Sequence, residues 1–540
     1  MESKEMIGLD DEMRAMVIDT IAQVRNRLLP KEKVLEFDKK EIFPEDEIRE
    51  MLGPEIGLQL IFIPEEYGGM GGGARDCCAV TREMSKICLG VSTALFAIQL
   101  GADPILVAGT DEQQEKWLGK IAEGESLVAY AVTEPDAGSN LAALKTRAEP
   151  VKDDAGAITG YKITGNKQFI SNGGYADFIT LLAKTPEGPS FFVVEKGAEG
   201  FVLGKGEEKH GIRSSNTSPL SFEDVFVPVE NLLGEEPGKG LVQANKVFGY
   251  TRLMVAAMAL GGGEAAMDIA VSYAKERIQF NTPLLEKQGF THKLIIPNIV
   301  RLKAADAYIE EIATRFDSGE QGLQTEGSIA KYFSSECANK AGDDAIQALG
   351  GYGYITEYEV EKIKRDIKIT CIYEGTSEIQ QNIISMFRWK NTWKTKGEYY
   401  EAIAKEMDKI HASIENAGAK YYALASRVLN EAIMVAHKNK LTKKQFVMFS
   451  LADMMTWVEI GAAMARKAQK INDEEMLTSS RIFANDVCNV VGKNAELIMG
   501  CVSEDISSEF KQKTNFNKLA QSFNNIVDDM DIIAEKINKS

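Results

Sequence analysis

The sequence has few of the residues that build covalent cross-links and metal centres. Seven cysteines and four histidines occur among its 540 residues. The cysteines form no CxxC pair and their number is odd, which fits a reducing cytoplasm better than a disulfide framework. The histidines His210, His292, His411 and His437 are scattered along the chain without HExxH-type spacing. The sequence therefore predicts no metal site.

Basic residues are also fewer than acidic residues. Lys and Arg number 62 against 80 Asp and Glu, a formal net charge of -18. An acidic surface repels nucleic acids and anionic membranes, so no nucleic-acid partner is expected. The longest uncharged run, 87–102, is too short for a membrane-spanning helix. Residues 1–5 lack the apolar core of a secretory signal and are too acidic for a transit peptide, so we expect a cytoplasmic protein.

What the chain does contain is a succession of regions with different hydrophobic periodicity. Its length requires three or four domains, and 44% hydrophobic with 26% charged residues is typical of globular proteins. Helical spacing covers 1–125, β-type patterning covers 126–236, and helical spacing returns over 237–393 and again over 394–540. The predicted fold is α+β and multidomain.

Local patterns support this division. In the second region, β-rich runs at 161–164, 178–182 and 191–194 are separated by Gly, Asn and Asp turns, which predicts a compact all-β domain. In the last region, residues 442–445 read Thr-Lys-Lys-Gln, a capping-box match ahead of the apolar run 446–449. This match predicts the start of a helix at that point.

The segment 372–380 carries the most suggestive chemistry. A strand-like run over 367–373 leads into Glu374, which is followed by Gly375 and Thr376. Glycine allows a ligand to approach the backbone closely, and threonine can cap the next helix. A carboxylate partly withdrawn from water there is suited to act as a general base. From the residues alone, an ordinary helix start is the better explanation of the segment.

Four further features have both a ligand-binding and an ordinary interpretation. Residues 69–74 satisfy GxGxxA, but no strand precedes them, so a glycine-rich loop is the better interpretation than a dinucleotide site. The loop 130–140 offers hydroxyls and amides to a polar ligand, or is a surface turn. In the segment 347–354 a helix C-cap explains one of the three glycines, and three glycines within four residues also suggest close backbone approach to a ligand. Arg277 complements a helix dipole or binds a phosphate.

These segments occur together, in order and at matching spacing, in the acyl-CoA dehydrogenase family, which the chain resembles over 7–390. The two family signatures are matched by the segment that includes 132–139 and by the segment 347–366. The stretches 61–69 and 222–225 are also similar to family sequence. The resemblance implies an N-terminal helical domain, a central β-barrel or sandwich and a C-terminal four-helix bundle.

The resemblance also implies an activity. Family members carry FAD non-covalently and remove the α and β hydrogens of a fatty acyl-CoA thioester, as in β-oxidation. By matched position Glu374 takes the α-proton, the β-hydrogen leaves as hydride to the flavin, and electrons pass to an electron-transferring flavoprotein. Two alternatives remain: an acyl-CoA oxidase that uses O₂, and a non-catalytic scaffold that kept the fold.

Further site residues follow from the resemblance by matched position. Contacts to the flavin ring and its chain are implied for Tyr130, Val132, Thr133, Gly138, Ser139, Phe169, Ser171, Thr376 and Glu378. Contacts to the diphosphate and adenosine, some of them across a subunit interface, are implied for Arg277, Phe280, Gln288, Gln347, Gly350 and Gly351. The acyl-CoA is implied to lie against Ser139, Arg252, Tyr373 and Gly375, with Arg252 supporting the base-bearing loop.

The chain departs from common family residues at three of these positions or beside them. Phe169 stands where many members have Trp, Asn281 where Gly usually follows Phe280, and Gln381 where Arg is common. Some members carry the base near the position of Thr251, whose hydroxyl cannot serve in that way. Glu374 is therefore the only credible base.

The tract 394–540 resembles the extra domain of the very-long-chain branch of the family. In that branch it covers the face through which shorter members pair dimers into tetramers, so the resemblance implies a homodimer. Some of these domains touch membranes through a basic amphipathic helix. No such stretch stands out here, so peripheral membrane contact is not the favoured interpretation. The sequence does not identify the acyl group.

Overall fold

The computed structural model describes residues 8–539, so the segment 1–5 behind the targeting expectation lies outside the described residues. The chain divides into two compact units. The first contains residues up to Gly262 together with Ala313–Gln324, and the second contains Gly263–Ile312 and Thr325–Ser540. The chain passes between the units at three points, and each of them falls inside a helix, at 262/263, 312/313 and 324/325. The predicted four-domain division stays a prediction.

The first unit begins with helices, as predicted. They are α1 (Asp11–Arg27), α2 (Lys31–Lys40), α3 (Glu45–Leu52), α4 (Ala74–Ile87), α5 (Leu89–Ala108) and α6 (Asp111–Ala122). Side-chain caps explain two of the starts: Asp10 accepts from the Met13 N–H, and Thr110 forms a capping box with Gln113. The glycine-rich stretch 69–74 is a loop that enters α4 without a preceding strand, which agrees with the sequence interpretation.

The predicted β region forms one seven-stranded sheet in the first unit. Its strands are β1 (Val128–Ala131), β2 (Arg147–Lys152), β3 (Ile158–Ser171), β4 (Phe178–Thr185), β5 (Gly188–Glu195), β6 (Phe201–Leu203) and β7 (Thr217–Pro228). The order is β1-β4-β2-β3-β7-β6, with β5 paired to β4. Phe192, Leu181 and Phe222 are among its buried core residues. The alternation of apolar residues along the strands buries this face.

Helical structure then continues to the end of the described chain. The helices are α7 (Gly240–Glu276), α8 (Gln288–Phe290), α9 (Ile296–Asp317), α10 (Gln324–Leu349), α11 (Val360–Ile367), α12 (Ser377–Lys394), α13 (Glu398–Ser413), α14 (Ala419–Lys438), α15 (Gln445–Ile471), α16 (Glu474–Met499), α17 (Glu504–Lys513) and α18 (Ile526–Lys539). A short hairpin of β8 (Ile278–Gln279) and β9 (Thr282–Pro283) interrupts them, and a π-helical turn, Thr291–Ile295, precedes α9. The predicted order of helical, β and helical regions is confirmed.

A buried polar network ties the C-terminal extension to the preceding helices within the second unit. The Arg388 guanidinium on α12 donates to both carboxylate oxygens of Glu459 on α15, at 2.7 and 2.8 Å, and to Glu326 on α10 at 2.9 Å. The Tyr400 hydroxyl on α13 donates to Glu459 at 2.9 Å. All four side chains are buried, so the charges are satisfied by one another rather than by water.

Two local predictions are wrong. The strand-like run 367–373 is helical instead: α11 is followed by a 3₁₀ helix, Lys368–Cys371. Its β-branched residues suggested a strand, but burial of Val360, Ile363 and Ile367 on one face favours the helix. The capping box at 442–445 is also wrong: a helix, α15, does begin at Gln445 as predicted, but its N-cap is Lys444 and it has no side-chain cap.

Three helices are long and apolar enough to cross a membrane by length and composition: α5, α7 and α15. From the sequence, the uncharged run 87–102 was expected to be too short to span a membrane. The helix that contains most of it, α5, is longer than the run because it continues through Asp103 and Pro104 and reaches 20 residues. In each helix, 78% of the apolar window is buried inside the protein. Packing in the protein interior therefore accounts for most of their apolar surface.

Candidate active site

Glu374 lies on a tight turn between the 3₁₀ helix Lys368–Cys371 and α12, in the second unit. Its φ is 54°, in the left-handed region that is unfavourable for a side chain of this size, and Gly375 follows at 91°. The Thr376 hydroxyl accepts from the Ile379 N–H at 3.4 Å and so caps α12, as predicted. The Glu374 side chain is half-buried. The turn thus presents one carboxylate in a constrained position.

Two side chains that sequence reasoning missed hold this turn. The buried Lys331 ammonium on α10 donates to the Gly375 carbonyl at 2.6 Å. The buried Gln380 amide donates to the carbonyls of Glu374 and Gly375, at 3.0 and 2.9 Å. One signal in the sequence indicated the role of Lys331 in holding the turn, namely its position inside the otherwise uncharged run 329–333. These bonds stabilise the left-handed backbone that aims the Glu374 side chain.

The other predicted residues of this turn lie beside it. Tyr373 is half-buried and Glu378 is exposed in the first turn of α12. Hydrogen bonds from its own backbone N–H and from the Thr376 hydroxyl lower the pKa of Glu378. A negative charge there is favoured by the helix dipole as well.

A second cluster in the same unit contains predicted diphosphate and adenosine contacts. Arg277 follows the end of α7, and its guanidinium carbon lies 5.7 Å from the centroid of the Tyr352 ring. Tyr352 belongs to the 3₁₀ helix Gly350–Tyr354, so the structure brings Arg277 to the predicted glycine segment. Gly350 caps α10 in the left-handed region, and Gln347, Gly350 and Gly351 are exposed. A Cβ added at either of these two glycines would meet nothing within 4 Å.

The β8–β9 hairpin places Phe280 at its tip. Phe280 and Asn281 have φ of 50° and 66°, the pattern of a two-residue type I′ turn. Asparagine tolerates the left-handed region better than any residue except glycine, which explains why Asn281 replaces the usual glycine. The Phe280 side chain is 90% exposed. A large apolar ring in that position is available to a ligand or a second subunit.

Gln288 is engaged by the C-terminal extension. Its amide donates to both carboxylate oxygens of Asp531 on α18, at 3.0 and 3.3 Å, and His292 lies 3.1 Å from the same carboxylate. A contact from Gln288 to an anionic diphosphate would require this bond to be exchanged. Sequence reasoning did not foresee the contact, because the two residues are 243 positions apart.

The predicted flavin contacts in the first unit come from two adjacent segments. Tyr130 lies on β1, and Val132, Thr133, Gly138 and Ser139 lie on the loop that follows it. The Gln168 N–H donates to the Thr133 carbonyl at 2.9 Å, so this loop is joined to β3 beside Phe169. Gly138 and Ser139 are exposed, and Ser171 ends β3. The structure therefore brings together the residues predicted from 130–139 and 169–171.

Phe169 sits in a bulge of β3. The β3–β7 register shifts between Lys167 and Ile170, and Phe169 has φ of 59°. A bulge turns a side chain away from its regular alternation. As a result, 63% of the Phe169 side chain is exposed, although it is a large aromatic residue within a strand.

A buried ion pair fixes the loop after β1, and sequence reasoning missed it too. The Lys167 ammonium donates to Glu134 at 2.9 Å and to the Val132 carbonyl at 3.0 Å. Burial lowers the pKa of Lys167 to about 8, so at pH 7 it still carries its charge. Burial alone would raise the pKa of Glu134, but the hydrogen bond and charge of Lys167, the Thr146 side chain and the Lys145 N–H lower it.

Arg252 and Thr251 lie on α7 within the first unit. The Arg252 guanidinium carbon is 5.6 Å from the centroid of the Phe248 ring, and the side chain is partly buried. Thr251 is fully buried. Arg252 and Thr251 belong to the first unit, whereas Glu374 belongs to the second.

Gln381, which stands where Arg is common in the family, forms hydrogen bonds with the extension. Its amide donates to Asp453 on α15 at 2.8 Å and to the Tyr332 hydroxyl at 3.0 Å, and that hydroxyl donates to Asp453 at 2.8 Å. Burial raises the pKa of Asp453. A neutral amide donor satisfies this carboxylate without adding a buried cation.

Comparison with known proteins gives consistent matches along the chain. Models of the acyl-CoA dehydrogenase N-terminal, middle and C-terminal domains match residues 11–125, 129–225 and 238–387. The acyl-CoA dehydrogenase of Bacillus subtilis (strain 168) is 40% identical over 383 residues, which is 69% of this chain and 96% of that protein. The acryloyl-CoA reductase (NADH) of Anaerotignum propionicum is 39% identical over 355 residues, covering 65% and 88%.

Among solved structures, the acyl-CoA dehydrogenase from Bacillus anthracis in complex with FAD has a TM-score of 0.84 and 25% identity. The match covers 98% of this chain and 95% of that chain, so it includes the extension. Resemblance of the extension to the very-long-chain branch stays a prediction. Because domain models match most of the chain and a relative is matched over nearly its whole length, the protein belongs to the acyl-CoA dehydrogenase family.

Proposed function

We propose that this protein is an FAD-dependent acyl-CoA dehydrogenase that converts an acyl-CoA thioester to the trans-2-enoyl-CoA, with Glu374 as the base. The observation that carries the proposal is the constrained turn of Glu374. Its left-handed backbone is fixed by the buried Lys331 and by Gln380. Such local strain is maintained where a side chain must be held in one position.

The α C–H of a thioester is a weak acid, so its removal needs a positioned base and stabilisation of the developing enolate oxygen. Glu374 supplies the carboxylate that accepts the proton. Its backbone N–H is the expected donor to the thioester carbonyl, together with a flavin ribityl hydroxyl, by the family resemblance. A donor fixed on a rigid turn loses little free energy to reorganisation when charge develops.

The residues present fit FAD. Phe169 and Phe280 expose aromatic faces, and Arg277 with the open glycines at 350 and 351 offers a cation and close backbone approach. Bound FAD supplies the acceptor for the β-hydride. Tyr130, Val132, Thr133, Gly138, Ser139, Ser171, Gln347, Thr376 and Glu378 are proposed to complete its contacts, and Ser139, Arg252, Tyr373 and Gly375 those of the acyl-CoA.

The test is anaerobic reduction of the FAD-loaded protein by a panel of short, long, branched and aromatic acyl-CoAs. Glu374→Gln should retain the flavin spectrum. The rate at which acyl-CoA bleaches the flavin should fall by about 10²- to 10⁴-fold, the usual contribution of a general base. Glu357→Gln is the matched control, because Glu357 is exposed and outside the proposed site. Bleaching at the wild-type rate in Glu374→Gln would overturn the assignment, and protein purified without flavin would favour the scaffold alternative.

The acceptor and direction of the reaction are separate parts of the proposal. We propose an electron-transferring flavoprotein as acceptor, a homodimer as the assembly and the cytoplasm as location. Hydrogen peroxide formed in step with enoyl-CoA would instead identify an oxidase. The relationship to the Anaerotignum propionicum reductase makes enoyl-CoA reduction the second candidate, detectable as reoxidation of the reduced flavin by enoyl-CoA.

A further inference from the structure

A concave surface in the C-terminal extension has the properties of a ligand site. We call it the extension cleft. It has a volume of about 600 Å³ and is lined by the 396–401 segment, one face of α14 and the 513–521 segment. This volume lies within the range of about 300–1,000 Å³ that is usual for small-molecule sites. The cleft belongs entirely to the second unit.

Cationic side chains dominate the lining. They are Lys396, Lys420, Arg427, Lys438, Lys513 and Lys518. The acidic lining residues are Glu401 and Glu431, so the cleft carries a net charge of +4 in a chain whose net charge is -18. A concave surface of one sign concentrates ligands of the opposite sign. The cleft therefore favours an anion.

The two carboxylates are already neutralised. Glu431 lies 2.6 Å from the Lys513 ammonium, and the Arg427 guanidinium lies 3.3 Å from Glu401 and 2.5 Å from Asp408, which is outside the lining. The remaining lysines, at positions 396, 420, 438 and 518, have no carboxylate within ion-pair distance in residues 8–539. Four cations are thus available to a bound anion.

The lining also contains apolar and aromatic surface. Leu424, Met434 and the ring of Tyr421 are half-buried in it. The Tyr421 hydroxyl donates to the Gln521 carbonyl at 2.7 Å, which fixes the ring. The Asn430 side-chain oxygen in the same lining is buried and has no hydrogen-bond partner. A ligand with phosphates for the cations and a flat ring for the apolar and aromatic surface would match these two parts of the lining together.

Lys396 occupies a backbone position that normally belongs to glycine. It follows the C-terminus of α12 with φ of 53°, and the Gly397 N–H donates to the Thr392 carbonyl at 2.9 Å, as in a Schellman motif. A lysine is unfavourable in this conformation. Lys396 thus places a charged side chain in the lining of the cleft at a backbone position where glycine would be favoured.

We propose that the extension cleft binds a nucleoside polyphosphate, with the four available lysines around the phosphates and the base against Tyr421. Isothermal titration of the FAD-loaded protein with ATP should give saturable binding. Lys396→Gly and Lys518→Gln should each weaken it about 10- to 100-fold, the value of a hydrogen bond to a charged group. Inorganic pyrophosphate should bind more weakly than ATP.

Lys396→Gly is a strict test because it should relieve backbone strain as it removes the charge. A melting temperature equal to or above the wild-type value will show that lost binding is not lost folding. The matched control is Lys440→Gly: Lys440 also has a left-handed backbone, with φ of 57°, but does not line the cleft. It should bind ATP as the wild type does.

Absence of saturable ATP binding, or equal affinity in the wild type and Lys396→Gly, would overturn the proposal. Equal affinity for pyrophosphate and ATP would overturn the assignment of a nucleoside. Binding that weakens equally in Lys440→Gly would show a general charge effect and would also count against the cleft. None of these outcomes depends on dehydrogenase activity, so the proposal stands or fails independently of the role of Glu374.

Discussion

The ion pair between Lys167 and Glu134 should be the main support of the loop after β1. Both side chains are buried, with exposures of 0% and 3%. At neutral pH both are charged, because the pKa of Lys167 is about 8 and that of Glu134 lies below its ordinary value. Lys167→Met removes the ammonium while keeping an apolar stem of similar length. It leaves a buried carboxylate without its cation.

The size of the effect follows from the bonds that remain. Loss of one partner of a buried ion pair costs about 3–5 kcal/mol. Glu134 retains the N–H groups of Lys145 and Thr146, at 2.7 and 3.0 Å, which places the loss near the lower end. The Val132 carbonyl also loses a donor, which adds about 1 kcal/mol. We expect Lys167→Met to lower the free energy of unfolding by about 4 kcal/mol.

Urea denaturation followed by circular dichroism measures this value, and flavin retention reports on the loop. Adding Glu134→Gln to Lys167→Met removes the stranded charge and should recover part of the loss. The control Lys162→Met changes an exposed lysine on the same strand and should shift stability by less than about 0.5 kcal/mol. A loss below 1 kcal/mol in Lys167→Met, or a double variant less stable than the single one, would refute the reasoning.

Two further outcomes are expected. Arg388→Met leaves Glu326 and Glu459 buried without their cation and should cost about 3–5 kcal/mol in urea denaturation, whereas loss of less than 1 kcal/mol would show that the network is dispensable. Because the pKa of Glu134 is lowered in the folded state, its contribution is present above the unfolded pKa of about 4.3 and is lost as pH falls. The stability difference between wild type and Glu134→Gln should therefore narrow on acidification below about pH 4, and a difference that widens would contradict the assignment.

Much of the fold could be predicted because its signals are local. Helical and alternating periodicity located the helical, β and helical regions, and Thr376 was recognised as the cap of α12 from its place before that helix. The exposed turn residues at 280–281 and the glycine at 350 also follow local rules for left-handed backbone. Where local signals conflicted with packing, the prediction failed. Residues 367–373 have β propensity, but 367–371 are helical and bury Ile367 and Cys371, and 372–373 belong to the turn before α12.

The supporting contacts of the site were not predictable in the same way. Lys331 meets Gly375 across 44 positions, Lys167 meets Glu134 across 33, and Gln288 meets Asp531 across 243. Each pair joins polar groups whose partners depend on how separate helices and strands pack. The residue types alone do not identify these partners.

The sequence by itself determined the family, the proposed base at Glu374 and the order of helical and β regions, because signatures, caps and periodicity are properties of neighbouring residues. Only the tertiary structure decided which buried charges hold the two loops, and it alone brought residues 396 to 521 together around one cationic cleft. The physical reason is that burial and charge pairing depend on distance in space. Residues far apart in the chain acquire these properties only when the helices and strands pack.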